Sequence, residues 1–219
     1  MKKITVILIT ITLVCLFLTS ALASPAAVGV SADQALQKLK AGNKNYVEEK
    51  FSRPDVGSKK RGELTKGQHP FAVIVSCSDS RVPPEIIFDQ GLGDLFIIRT
   101  AGEVVDNAVL GSIEYAVEHL GVQLVVVLGH EDCGAVKATI AGGHAPGQIA
   151  SIVEAIKPAV DKAKAVKGDV VNDAIKLNAD MIVNKLKSSK PILNEFVEKG
   201  KLKIVGAIYD LDDGTVNFR

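Results

Sequence analysis

Four stretches of the chain run apolar with almost no alternation: "FAVIVSC" (71–77), "DLFIIRT" (94–100), "VQLVVVLGH" (122–130) and the "LKIVGAIY" of the carboxyl-terminal region. All are short and rich in β-branched residues. That pattern predicts strands covered on both faces, as in a parallel sheet. Between the second and third lies "VDNAVLGSIEYAVEHLG", where Val109, Ile113, Ala116 and Leu120 recur at helical spacing and Gly121 supplies a stop. Strand, helix and strand in that order predict a βαβ unit.

Helical patterns flank this centre. "SADQALQKLKAGNKNYVEEKF" opens with Ser31 and Gln34 in capping-box spacing. "GQIASIVEAIKPAVDKAKAVKG" predicts a helix bent or broken at Pro158, and "DVVNDAIKLNADMIVNKLKSS" a second. "PILNEFVEKG" has Pro191 at a helix start and Gly200 at its end. The polar "SRPDVGSKKRGELTKGQHP" reads as a solvated surface loop, and Asp212-Asp213-Gly214 as a turn before a last short strand. The predicted fold is α/β: a mostly parallel sheet of about four strands plus a short carboxyl-terminal edge strand, flanked by helices. No internal repeat is visible.

The amino terminus changes how composition is read. Residues 1–23 carry Lys2 and Lys3, an apolar run from Ile4 to Leu18 and a small-residue Ala21-Leu22-Ala23, the organisation of a secretory signal cut after Ala23. An uncleaved anchor is the competing reading. The expected arrangement is therefore a signal at 1–23, one domain at 24–219, and a periplasmic or secreted location with no membrane attachment after cleavage. The signal inflates the 47% hydrophobic content. Its removal takes two of the 26 basic residues and none of the 25 acidic ones, leaving a charge close to zero that argues against nucleic acid as a partner. Only Cys77 and Cys133 remain, and in an exported protein a disulfide is the first reading of such a pair.

Chemistry concentrates where strands end. Within five residues "CSDSR" presents a thiol, a carboxylate and a guanidinium: Cys77, Asp79 and Arg81. "GHEDC" follows another strand, so His130 and Cys133 are expected on the same rim as Cys77. Two thiolates and one imidazole form a three-ligand set suited to Zn2+. A Cys77–Cys133 disulfide would account for neither His130 nor the Asp79 and Arg81 pair.

"CSDSR" followed by "GHEDCGAV", with "RTAGE", "SIEYAVEHLG" and "AIYDLDDGTVNF", resembles the β-class carbonic anhydrases over nearly the whole mature chain. The resemblance implies zinc on Cys77, His130 and Cys133, with water or, in a closed state, Asp79 as the fourth ligand. It implies that Arg81 holds Asp79 off the metal, and that the reaction is reversible hydration of CO2 to bicarbonate and a proton by zinc-bound hydroxide. Gln68, Phe96, Ala101 and Tyr115 match substrate-pocket positions, in a pocket shared across a dimer or larger homo-oligomer, although Phe96 and Tyr115 read equally as core. His119, four residues from Tyr115 on one helix face, matches a proton-shuttling histidine and otherwise reads as a surface residue. The absence of Trp and the match at Tyr115 favour the plant-like, open-site subtype. Glu103 departs from the family, many members having Asn after "RTAG"; it is expected near the mouth, disfavouring bicarbonate or pointing outward. Alternatives are a CS2 or COS hydrolase on the same fold, and a secreted non-catalytic thiol or zinc-binding protein.

Overall fold

A computed structural model describes residues 29–219 except Arg53; the expected secretory signal lies outside the described residues. Along the described chain run helix α1 (Ala32–Val47), α2 (Ser58–Leu64), strand β1 (Ala72–Cys77), α3 (Pro84–Ile87), β2 (Leu95–Thr100), α4 (Asn107–Glu118), β3 (Leu124–His130), α5 (Gly134–Ala141), α6 (Ile149–Lys164), α7 (Val170–Lys187), α8 (Ile192–Glu198), β4 (Lys203–Tyr209) and β5 (Val216–Phe218). The strands form one five-stranded sheet in the order β2-β1-β3-β4-β5. Its first four members are parallel, and β5 pairs antiparallel with β4. The predicted α/β sheet is thus present, with one refinement: β1 lies between β2 and β3, so the expected βαβ unit crosses over a strand.

The unbroken apolar runs are explained by burial. Every residue of β1 and β3 is buried, because helices cover both faces of the sheet. Every residue of β2, at the sheet's edge, is only half-buried. Since β1 to β4 run the same way, their carboxyl ends share one rim, and Cys77 and His130 are the last residues of β1 and β3.

Side-chain caps fix three helix starts. Ser31 and Gln34 form the capping box of α1, and Asp106 and Asp169 cap α4 and α7. Two expectations are corrected. Of the bend or break expected at Pro158, the break is absent: α6 continues from Ile149 to Lys164. Pro158 is exposed, so the carbonyl it leaves unbonded can be hydrated, while Ile156, Ala159, Val160 and Ala163 anchor the helix to the core on both sides. The segment read as a loop contains α2, an exposed helix with no buried residue and hence no apolar stripe to reveal it.

Candidate metal centre

Three chain segments build the centre. β1 delivers Cys77, β3 delivers His130, and Cys133 sits at the amino-terminal cap of α5, so that a strand end, a neighbouring strand end and the turn after it converge. One ligand atom from each of the three lies within 4.8 Å of the other two, and all three residues are buried. Both cysteines are free thiols. The disulfide reading is therefore not the arrangement adopted.

The donor chemistry fits a divalent cation. His130 Nδ1 lies 2.7 Å from the Glu131 carbonyl, which fixes the ring with Nδ1–H donating and leaves the Nε2 lone pair free. That Nε2 is fully buried and has no hydrogen-bond partner. A buried nitrogen left orphaned is costly unless something else, such as a metal, meets it. Contact with Cys133, against the penalty of burial and with help from the Gly102 N–H, pulls the Cys77 thiol below the usual thiol range. The same contact, together with burial, holds Cys133 above the usual thiol range. Two buried thiols next to one imidazole make the donor set that a divalent cation would complete by displacing their protons.

Beside this set stands Asp79. Arg81 grips its carboxylate with both guanidinium arms, Nε donating to Oδ1 at 3.0 Å and Nη2 to Oδ2 at 2.8 Å, and the Arg81 backbone N–H adds a third bond to Oδ1 at 2.9 Å. This guanidinium holds the Asp79 carboxyl well below the usual carboxylate range. Asp79 Oδ2 lies 3.9 Å from His130 Nε2. Arg81 also reaches Asp132, whose Oδ2 is 3.7 Å from Nη1.

Other expected residues are distributed unevenly. Ala101 begins the turn after β2, beside the level of Cys77, which is in register with Thr100. Phe96 is instead in register with Val73, four residues back along β2 and about 13 Å from that rim. Gln68 is exposed in the segment before β1, toward the opposite end of the sheet from Cys77. Tyr115 is 48% exposed on α4, its ring 5.2 Å from that of His119. His119 is exposed, with Nε2 3.8 Å from Glu118. One chain therefore assembles the ligand set with Asp79, Arg81 and Ala101, and leaves Gln68 and Phe96 toward the far end of the strands.

Glu103 is a correction. It is 2% exposed rather than at the mouth, turned inward by a left-handed backbone (φ 45°) that directly follows Gly102 (φ 64°). Burial, then the charge on Cys77, pushes its carboxyl up to about 7. Arg99 was not singled out by sequence reasoning. It donates from Nε to the Cys77 carbonyl at 2.9 Å and from Nη2 to the Asp79 carbonyl at 2.5 Å, clamping the turn that carries both residues. A cation ending an otherwise apolar strand was the available signal.

Comparison with known proteins agrees with this geometry. The family model described as carbonic anhydrase matches residues 72–216. The carbonic anhydrase of Mycolicibacterium smegmatis is 43% identical over 189 residues, covering 84% of this chain and 92% of the relative. Carbonic anhydrase 2 of Mycobacterium tuberculosis strain H37Rv is 44% identical over 189 residues, with 84% and 91% covered. Among solved structures, the β-carbonic anhydrase CcaA superposes with a TM-score of 0.66 at 28% identity, covering 83% of this chain and 93% of that one. A tetrameric β-carbonic anhydrase of Sordaria macrospora gives 0.67 at 25% identity, with 85% and 94% covered. Sequence, fold and the convergence of two thiols with one imidazole at the strand ends agree: the chain belongs to the β-carbonic anhydrase family.

Proposed function

We propose that the protein is a zinc enzyme catalysing the reversible hydration of CO2 to bicarbonate and a proton, with Cys77, His130 and Cys133 holding the metal. The observation that carries this reading is the buried, partnerless His130 Nε2 within 4.8 Å of two buried, unbridged cysteine sulfurs. When bound, zinc supplies a Lewis acid that ionises water near neutral pH, an effect whose type example is carbonic anhydrase itself, with a pKa of about 7. Three protein ligands leave a position for solvent, as a catalytic site requires.

The chain's own groups orient the reaction. Asp79 stays ionised because Arg81 neutralises it, so its Oδ2 accepts a hydrogen bond from the attacking water and directs the oxygen lone pair toward carbon. Arg81 restrains Asp79 from becoming a ligand, which supports the open-site subtype. Arg99 holds the Cys77 and Asp79 carbonyls in fixed relation. His119 is exposed beside Tyr115 and is the proposed group for passing the proton to buffer.

Gln68, Phe96 and Tyr115 complete the pocket from a second copy of the chain. The half-buried β2 edge supports this reading, since an apolar edge strand leaves its backbone groups open to pairing. Antiparallel pairing of two β2 edges about a two-fold axis would set the amino end of one strand against the carboxyl end of the other. Gln68 would then donate to a CO2 or bicarbonate oxygen in the partner copy's site. Export is proposed on the residues 1–23 pattern. The test is metal analysis of the mature protein with stopped-flow CO2 hydration, wild type beside Asp79→Asn. The expectation is one zinc per chain in both proteins, with hydration lost only in the variant. Wild type that is zinc-free or inactive toward CO2 would overturn the reading.

A further inference from the structure

Behind the ligand set lies a buried polar chain that the reaction does not use. Asn178, 1% exposed on α7, donates from Nδ2 both to the Gly102 carbonyl at 3.0 Å and to Glu103 Oε1 at 3.0 Å. The N–H of Gly102 in turn donates to the Cys77 sulfur at 3.3 Å. Thr100 closes the same turn by donating its hydroxyl to the Val104 carbonyl at 2.7 Å. The turn is confined on every side. A Cβ on Gly102 would come within 2.5 Å of Ile156 and 3.2 Å of Ala135, and a Cβ on Gly129 would come within 3.4 Å of Glu103 Oε1.

Two consecutive left-handed residues are not a conformation that a glutamate favours. Residues in sparsely populated regions persist only where the surroundings over-determine them. Here the polar part of those surroundings is Asn178. Its single amide group ties the carbonyl of Gly102 and the side chain of Glu103 to the same nitrogen, which fixes the Gly102–Glu103 peptide unit. That unit meets, at the Gly102 Cα, the Ala101–Gly102 unit whose N–H bonds the Cys77 sulfur, so anchoring one limits the swing of the other.

We propose that Asn178, acting through Gly102 and Glu103, is a positioning residue for the metal ligand Cys77, so that α7 governs how tightly the centre holds zinc. The inference rests on the zinc reading of Cys77, His130 and Cys133. Groups behind a metal's ligands typically contribute 10- to 100-fold to affinity. The experiment is competition for zinc against a chromophoric chelator, with the sulfur-to-metal absorption of the Co2+-substituted protein recorded in parallel. Asn178→Ala is expected to lower zinc affinity about tenfold or more and to shift that absorption. Glu103→Ala is expected to do the same from the other end of the pair while leaving α7 intact, so the proposal stays testable if Asn178→Ala fails to fold. Glu103→Gln keeps an oxygen that accepts from Asn178 and is expected to match wild type. Ile175→Ala, a buried truncation on the same helix, is expected to lower the melting temperature without altering zinc affinity.

Wild type that takes up no zinc would overturn the metal reading and this inference together. Wild type that binds zinc, with Glu103→Ala or a folded Asn178→Ala equal to it within twofold and an unchanged absorption band, would overturn this inference alone. So would a loss of affinity in Ile175→Ala as large as that in either variant.

Discussion

Arg81 and Asp79 form a bidentate pair on one turn, and the oxygen that Arg81 Nη2 holds at 2.8 Å is the one lying 3.9 Å from His130 Nε2. The same carboxylate is thus near enough to the ligand set to act on it and is restrained from joining it. Arg81→Gln is expected to lower kcat/KM for CO2 hydration by roughly 10- to 100-fold, the usual cost of losing a group that orients a metal site. In the Co2+-substituted variant, the d–d spectrum is expected to shift as Asp79 becomes a ligand. A variant with lowered activity and an unchanged spectrum would separate Arg81's effect from restraint of Asp79.

The three proposed ligands are not interchangeable with their isosteres. Cys77→Ser, Cys133→Ser and His130→Gln each keep volume at a buried position and remove one soft or imidazole donor. Each is expected to leave less than about one tenth of the wild-type zinc content after dialysis, given the 10- to 100-fold penalties seen even behind the ligands. Elemental analysis with far-ultraviolet circular dichroism checks this. Full zinc in any one of them would remove that residue from the set.

The carboxyl of Glu103 links pH to stability in the metal-free protein. It is held protonated up to about 7 in the folded state, against an ordinary value of 4.5. Between those values the folded chain binds a proton that the unfolded chain has lost, so stability from this group is full below 4.5 and declines as pH rises through 7. The difference in urea midpoint between wild type and Glu103→Gln is therefore expected to move against wild type across that window. Because Cys77 also titrates nearby, the difference, not either curve alone, is the measurement. A pH-independent difference would contradict the assignment.

With Gln68 in the segment leading into β1 and Cys77 at the strand's carboxyl end, complementation between copies is predicted. Gln68→Ala and Cys77→Ser homo-oligomers are each expected to be strongly impaired. Unfolded together and refolded, they should regain activity, because a mixed pair restores one intact site. Size-exclusion light scattering should show at least a dimer throughout. Absence of recovery in confirmed mixed oligomers would place Gln68 outside the partner's site.

Export can be checked directly. Expression of the full chain in a Gram-negative host is expected to yield periplasmic protein whose Edman sequence begins at Ser24. A product retaining Met1 in the membrane fraction would favour the anchor reading.

Much of the architecture was legible because its signals are local or periodic. Continuous β-branched runs specify strands covered on both faces. Ser31 with Gln34 specifies a helix start, and a thiol or imidazole at the end of such a strand specifies a rim where ligands gather. Cys77, Asp79, Arg81, His130 and Cys133 could therefore be read from order and spacing, and these are the residues brought together. Strand order was not legible, because the position of β1 between β2 and β3 depends on contacts among segments with interchangeable apolar character. The continuity of α6 through Pro158 was not legible because it depends on which way the helix faces, nor was the burial of Glu103, because a carboxylate after a glycine carries no sign of where its backbone will turn. Asn178 lies 76 residues from the Gly102 carbonyl it holds, in a helix whose sequence marks it only as one polar position among others. Periodicity and ligand type are properties of neighbouring residues and survive in one dimension. Burial of a lone polar group, and the partner that satisfies it, arise only once distant segments close around it.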